Sequence, residues 1–539
     1  MNPSTPTQPV DSAEELVYAA AVLILSHDLY PRKLEVVREY IQNASDAIDA
    51  FSAIADLIED TSEPVVKISI QGRSLLIFDN GIGMDAEDVS NLRRIAYSEK
   101  KAGEEAGYKG IGRLAGIAVA DKLKISSTSY GDSKLHHFEF RASDMREDVS
   151  QHKKQGIQEP ATVVINRHTT LWSTPIDPRD HYTIVEIRGI SEKWSELLDA
   201  GVLKEYIGDI APVDFSPEFT WGQEISQKLV QSVPDYSPKK IYLSMPNGER
   251  VRVFKPYVNS MSIAKPDYQP IRDPANPNRP IALCWYAPKG EQILGSLRPV
   301  GRIFSVDGSD KQQKTRYAGM VYKLFGFSIG DRNLPLQTLW GKSFPRALWF
   351  TGEIHIVDKD VLPTTDRSNF IENDARNNLF KAATDRIPKD LNNLAQQISN
   401  DRNAFHEANK FRLKLQEWEN RLLKGQIEKS ELKSLQRELY ENQSKLRERA
   451  ESAKDTEIKK FDKEVQQFAT RIQKELEQAK TLKGNNSIAD VALELQMTSK
   501  ARRVFQIVMD TLQDHYANDP QEYYEVAAKI AKALRKKYA

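Results

Sequence analysis

Glu39 and Asn43 are spaced i and i+4 within Arg38-Glu39-Tyr40-Ile41-Gln42-Asn43-Ala44-Ser45-Asp46-Ala47. On a helix they share a face, with Asp46 close to it. An acid one turn from an amide oxygen can hold a water and a hard cation side by side, as Mg-nucleotide hydrolysis requires. The same spacing also suits a solvated helix face. A second run, Asp79-Asn80-Gly81-Ile82-Gly83-Met84, follows the apolar Leu75-Leu76-Ile77-Phe78. There a carboxylate at a strand end can accept from an exocyclic amine, and glycines let the backbone approach a planar ligand. An ordinary Asn-Gly turn is the plainer alternative. A third run, Gly107-Tyr108-Lys109-Gly110-Ile111-Gly112, precedes the small and apolar Leu114 to Ala120. As a glycine loop opening a helix, it offers backbone NH groups and a helix dipole to phosphate oxygens. The fourth, Tyr182-Thr183-Ile184-Val185-Glu186-Ile187, is a strand whose Thr183 hydroxyl can finish such a pocket.

These residues need elements to hold them, and texture divides the chain. A Pro, Ser, Thr and Gln-rich arm covers residues 1–12 and is predicted to be mobile. Residues 13–193 mix helical patterns with β-type runs such as Val65 to Ile70, which predicts an α+β domain. Residues 194–395 read as a second α+β domain, in which Ile241-Tyr242-Leu243-Ser244-Met245 and Val251 to Phe254 flank an Asn247-Gly248 hairpin turn. In residues 396–483 Leu415, Trp418, Leu422, Leu432, Leu435, Leu439 and Leu446 form one apolar seam. Ile458, Phe461, Val465, Phe468, Ile472 and Leu476 form another. The pair predicts a coiled-coil hairpin turning near Glu451 to Thr456, against the plainer reading of two exposed amphipathic helices. Residues 484–539 complete the chain as a small helical bundle, with Asp519-Pro520 opening its last helix.

Composition narrows the function classes. Lys plus Arg total 76 and Asp plus Glu total 76, so no global charge attracts nucleic acid or anionic lipid. The apolar run Leu16 to Leu25 is short of a membrane span and is preceded by Asp11, Glu14 and Glu15 instead of a basic segment. With Cys284 as the single cysteine, neither an intramolecular disulfide nor a multi-cysteine zinc site can form. A cytoplasmic protein without membrane association is the expectation. There is no GxxxxGK[ST], and no Ser/His/Asp, HExxH or paired-carboxylate hydrolase pattern.

In this order the four motifs resemble the GHKL ATPase superfamily, whose ATP-binding domain is the Bergerat fold. It contains the 90-kDa heat-shock chaperones, MutL mismatch-repair proteins, type II topoisomerases, Microrchidia ATPases and sensor histidine kinases. Within it the likeness is strongest to the chaperones: Leu29-Tyr30-Pro31-Arg32-Lys33 ahead of Arg38-Glu39 is similar to their first helix. Asn91-Leu92 with Ile95-Ala96-Tyr97-Ser98 is similar to the start of their lid. The resemblance implies that ATP and Mg2+ bind here, with Glu39 as general base and Asn43 as the Mg2+ ligand beside Asp46. Asp79 would take the adenine amine, Gly81, Gly83 and Met84 would line the base pocket, and Thr183 would support Asp79 through water. Gly107, Gly110, Ile111 and Gly112 would wrap the phosphates, with Lys100 reaching in from a lid over roughly Asp85 to Gly112. Two departures stand out: Tyr182 occupies a position where the fourth motif usually has Gly, and the lid is shorter than the chaperones' lid.

In the middle region Gly319 to Tyr322 and Phe327 to Gly330 are similar to the chaperones' middle domain. Asp360-Val361-Leu362-Pro363-Thr364-Thr365-Asp366-Arg367 resembles the loop that presents an arginine to the γ-phosphate, one residue shorter after Pro363. Arg367 is the implied catalytic cation, with Arg302, Lys314 and Arg316 as other candidates and a structural Asp-Arg pair as the alternative. The resemblance covers residues 13–395 and implies an ATP-driven clamp: a homodimer through N-terminal association and the coiled coil, acting on a protein client. The alternative is a Microrchidia-like or MutL-like clamp on nucleic acid, in genome maintenance or defence against foreign DNA. It would use the local clusters Lys239-Lys240, Lys445 with Arg447 and Arg449, and Arg502-Arg503.

Overall fold

The computed structural model describes residues 33–55, 62–94, 112–157, 159–234, 236–257, 265–288, 317–340, 347–423, 426–427, 429–452, 456–481, 498–516 and 519–538. The arm at 1–12, Lys100, Gly107, Gly110, Ile111, Arg302, Lys314 and Arg316 lie outside the described residues. The protein is α+β, in two compact units dividing at Leu391 and Asn392.

The first unit begins with helix α1 (Glu35–Ser52). Its apolar residues Val36, Val37, Tyr40, Ile41, Ala44 and Ile48 fall on one stripe and are buried. The polar Ser45 and Ser52 hydroxyls fold back onto the Ile41 and Ile48 carbonyls at 2.8 Å, so they leave no unmet donor in the layer. Beneath α1 lies a sheet of eight strands in the order β5-β4-β3-β6-β2-β1-β7-β8. These are β1 (Val66–Gln71), β2 (Ser74–Asp79), β3 (Lys122–Thr128), β4 (Lys134–Arg141), β5 (Thr169–Pro175), β6 (Tyr182–Arg188), β7 (Ile241–Ser244) and β8 (Arg250–Arg252). All pairings are antiparallel except β1 with β7. Period-two alternation puts Leu75 and Ile77 of β2, Leu123 and Ile125 of β3, and Ile187 of β6 into one core with α1. Helices α2 (Ala86–Asn91), α3 (Ala142–Gln155), α4 (Ala161–His168) and α5 (Ala200–Ile210) flank it, whereas α6 (Gly222–Ser232) buries Ile225 and Leu229 in a separate cluster with Phe215, Tyr257, Leu283 and Trp285.

The hairpin expected around Asn247-Gly248 is present, with Gly248 at φ +83°. It extends the first sheet through β7 instead of founding a second one, so that sheet continues past residue 193. The second sheet has the order β12-β11-β13-β10-β9, from β9 (Asp267–Arg272), β10 (Pro280–Pro288), β11 (Gly319–Leu324), β12 (Phe327–Ile329) and β13 (Phe350–Ile356). Cys284 of β10 is buried, and burial pushes its thiol up, which makes it an inert core residue.

The long helix α7 (Asp374–Leu423) contributes its later turns to the second unit, with α8 (Lys429–Ser452), α9 (Thr456–Thr481), α10 (Ser499–His515) and α11 (Pro520–Tyr538). The seam read as one segment from Leu415 to Leu446 is broken between Leu423 and Lys429. Gln426 N donates to Arg421 O at 2.9 Å, and Arg421 pairs with Glu431 at 2.8 Å across the break. The hairpin is thereby three helices sharing one core, from Ala408, Phe411, Leu415, Trp418 and Leu422 through the α8 leucines to Val465, Ile472 and Leu476. No helix among the described residues is long and apolar enough to cross a membrane.

Candidate functional site

Asp79 ends β2 on the same face as Leu75 and Ile77, which carries its carboxylate to the margin of the apolar layer, where it is buried. Register lines up two more polar residues beside it: Thr183 of β6 lies opposite Asp79, and Ser127 of β3 lies opposite Thr183. The Ser127 and Thr183 hydroxyls are 2.9 Å apart, and Ser127 Oγ accepts from Met84 N at 2.9 Å. Three strands thus present a short polar ledge at the end of a hydrophobic layer. Among the described residues Asp79 accepts one hydrogen bond, from Gly81 N at 3.0 Å, and burial pushes its carboxyl up to about 7.

The loop after Asp79 runs against α1. Ile82 N donates to Ala47 O at 3.0 Å, and a Cβ on Gly81 would meet the Ala47 carbonyl carbon at 2.5 Å. Gly83 has φ +72°, and a Cβ there would lie 1.9 Å from Thr128 O, so only glycine closes this corner. Asn80 faces the other way, its side chain accepting from Val65 N at 2.7 Å and donating to Glu63 O at 2.9 Å. His181 donates from Nδ1 to Gly81 O at 2.7 Å and stacks on Phe51 with centroids 3.9 Å apart. Asp85 then caps α2 through Glu87 N and Asp88 N, starting the segment expected to be the lid.

Glu39, Asn43 and Ala47 step by four along α1, so the contact of Ala47 with the Asp79 loop places Asn43 and then Glu39 on a line leading away from it. From Ala47 to Glu39 is about 12 Å at 1.5 Å per residue. Glu39, Asn43 and Asp46 are half-buried. Tyr40, next to Glu39, accepts from Gly116 N at 2.8 Å, tying α1 to the segment that follows the glycine loop. That segment is a 3-10 helix, Gly112–Ala118, at the place where the glycine loop is expected to open a helix.

At the far end of the line sits a cationic corner. Arg38 is buried, and burial lowers its guanidinium, with Tyr206 opposing the shift and Arg367 adding to it. Its Nε has no hydrogen-bond partner among the described residues. Arg367 is buried at φ +57° in a tight loop closed by Thr364 N to Asn369 O at 2.9 Å. The Asp366 carboxylate stays within that loop, accepting from Thr364 Oγ1 at 2.6 Å and Ser368 N at 3.2 Å.

Asp79, Gly81, Gly83, Met84 and Thr183 are therefore gathered in one corner, with Asn43 and Glu39 along one helix face and Arg367 near Arg38. Tyr182, the departure from the fourth motif, alternates to the opposite face of β6 and packs on Phe78 at 5.8 Å, off the ledge. Ser127 and His181 are the contributors that sequence reading missed. Neither has a local signal, since cross-strand register selects Ser127 and the Gly81 carbonyl selects His181.

This layout, an amphipathic helix bearing an acid and an amide over a sheet whose strand ends in Asp-Asn-Gly-x-Gly, is similar to that of GHKL-type ATPase domains. Residues 32–183 match the family model described as "Histidine kinase-, DNA gyrase B-, and HSP90-like ATPase". Among curated proteins, the chain is similar to the chaperone protein HtpG of Methylibium petroleiphilum, 39% identical over 20% of this chain and 20% of that one. It is also similar to HtpG of Rickettsia prowazekii, 35% identical over 22% of each chain. With HtpG of Sulfurovum sp. the match is 27% identical over 42% of this chain and 37% of the relative. The chain spans between about a fifth and two fifths of the length of these relatives.

Proposed function

We propose that the chain is an ATP-binding and ATP-hydrolysing molecular clamp of the heat-shock-chaperone kind. The observation that carries this reading is the single line of groups from the Asp79 ledge, along Asn43 and Glu39, to the Arg38 and Arg367 corner. A buried carboxylate with one hydrogen bond suits an exocyclic amine, and the unpartnered Arg38 Nε suits an anionic group at the other end. The donor set also fits Mg2+, because the Asn43 amide oxygen is a hard ligand on the face that carries Glu39. Bound there, the ion would neutralise phosphate charge.

In this reading Glu39 orients and deprotonates the attacking water, and Asp79 with Thr183 and Ser127 fixes the base. Gly81 and Gly83 let the loop close against it. Arg367 stabilises charge on the transferred phosphoryl group. Lid closure, dimerisation through the N-terminal domains and the helical region, and action on a protein client complete the proposal. The nucleic-acid alternative loses one of its clusters. Lys239 is buried against Asp49, Lys240 pairs with Glu63, and Arg449 pairs with Glu407 at 3.5 Å.

The deciding experiment is ATP turnover by the purified chain, alone and with unfolded protein, single-stranded DNA or double-stranded DNA, at two salt concentrations. Basal turnover indifferent to DNA, or raised only by unfolded protein, is the expected result. Salt-sensitive stimulation by DNA would replace the chaperone reading with the nucleic-acid clamp. In parallel, Glu39→Ala should lower turnover by about 100-fold or more while ATP affinity stays within about threefold.

A further inference from the structure

Strand β11 is buried along its whole length, yet its fifth residue is Lys323, 1% exposed. A lysine in such a strand is costly, and burial lowers its ammonium to about 7. If this position served packing alone, an apolar side chain of similar length would serve it better.

Its contacts indicate another purpose. Lys323 Nζ donates to Asp209 O at 2.9 Å and to Ser328 Oγ at 2.8 Å, and Ser328 Oγ donates to the same Asp209 carbonyl at 2.7 Å. Asp209 lies in the last turn of α5, where carbonyls lack helical partners and the helix dipole is negative, so a cation is favoured there. Glu353 of β13 stands 3.9 Å from Nζ, with Lys255 and Arg332 as opposing cations and His355 paired across the β11–β13 register.

Ser328 is the middle residue of the three-residue strand β12, and this strand meets both halves of the candidate catalytic end. Its carbonyl accepts from Arg38 Nη2, one residue from Glu39, while Gly330 N, just beyond it, donates to Arg367 O at 2.8 Å. At the other end of the hairpin Gly326 abuts Pro212, where a Cβ would lie 2.5 Å from the proline Cβ. β12 is thus gripped at its tip, at its middle by Lys323, and at its exit by the Arg367 loop.

We infer that Lys323 is a positioning residue for ATP hydrolysis: by pinning Ser328 to the end of α5, it holds β12 where Arg38 and the Arg367 loop are set against Glu39. This deepens the reading under Proposed function and rests on it. Among the described residues Lys323 touches none of the groups assigned to nucleotide binding, so its influence should fall on turnover and not on affinity.

The test separates kcat from nucleotide affinity in the full chain, with ATP affinity read by calorimetric titration and folding by thermal unfolding. Lys323→Met keeps the length of the side chain and removes the pin, and Ser328→Ala removes the bridging hydroxyl with little change in volume. For Lys323→Met we expect kcat to fall about tenfold or more with ATP affinity within about twofold. For Ser328→Ala we expect a fall of about threefold, again without loss of affinity. Unchanged kcat in a folded Lys323→Met chain overturns the inference, as does a parallel loss of ATP binding, which would mark a purely structural residue. Should Lys323→Met not fold, Ser328→Ala decides by the same two criteria. An unsubstituted chain that neither binds nor hydrolyses ATP would remove the underlying reading, a failure seen before any variant is made.

Discussion

Two of the carboxylates that the first unit buries are held in opposite ways. Asp79, at the edge of the eight-stranded sheet, accepts one backbone hydrogen bond and is pushed up to about 7 by burial. For Glu353, in the second sheet, burial also acts to raise the carboxyl. Yet Lys255 at 2.7 Å, the nearby Lys323 and a bond from His355 at 2.9 Å outweigh it and hold the group well below its ordinary range. Trp285 Nε1 adds a further donor at 3.1 Å. Burial lowers His355 to about 4, so at neutral pH its ring is uncharged and donates from Nε2. The contrast separates two uses of a buried acid: Glu353 is satisfied by its own fold and holds a sheet together, whereas Asp79 keeps accepting capacity in reserve.

The comparison can be broken first at Glu353. Glu353→Gln leaves Lys255 without its counter-charge and should destabilise the chain by about 3–5 kcal/mol in denaturant unfolding. A loss under about 1 kcal/mol would mean that the cluster is not what secures that sheet. Asp79→Asn should act in the other direction on stability and against binding. An acid raised from its unfolded value near 4 to about 7 binds more protons folded than unfolded, so its stabilising share is present below pH 4 and lost as pH rises through 7. Without nucleotide, Asp79→Asn should therefore match the parent near pH 4 and exceed it by up to about 4 kcal/mol at pH 8. ATP affinity of the variant should fall by about 10- to 100-fold. A stability difference that does not change with pH would show Asp79 to be as satisfied as Glu353.

Smaller effects sharpen the picture. Arg367→Ala should lower turnover by about tenfold with ATP affinity nearly unchanged, and normal turnover would move the catalytic cation elsewhere. Tyr182→Gly, which restores the residue the fourth motif usually carries, should change ATP affinity by less than about twofold, because the ring packs on Phe78 away from the ledge. A large gain would place Tyr182 in the pocket after all.

Local chemistry made much of the candidate site legible. Asp79, Gly81 and Gly83 carry their reason within six residues, a strand end followed by a turn that must pass under Ala47. Glu39 and Asn43 follow from helical periodicity. What sequence could not supply was register: Ser127 and Thr183 are 56 positions apart and meet only because β3 and β6 pair, and nothing near His181 announces the Gly81 carbonyl. The bond from Arg38 to Ser328 spans 290 positions and is equally silent. Among the helices the apolar spacing was right, but it runs on past the end of α7 at Leu423 and the start of α8 at Lys429, and so three helices were read as two.

The parallel pairing of β1 with β7 bears on how the chain can be cut. Val66 to Ile68 are matched with Ile241 to Leu243, so a fragment ending at residue 193 would strip a neighbour from β1 and bare its backbone donors and acceptors beside the buried Val66 and Ile68. Such an unpaired margin invites pairing with other chains, and self-association of the fragment is the expected fate. The smallest soluble piece carrying the Asp79 ledge should extend past Arg252, well beyond the segment that matches the family model.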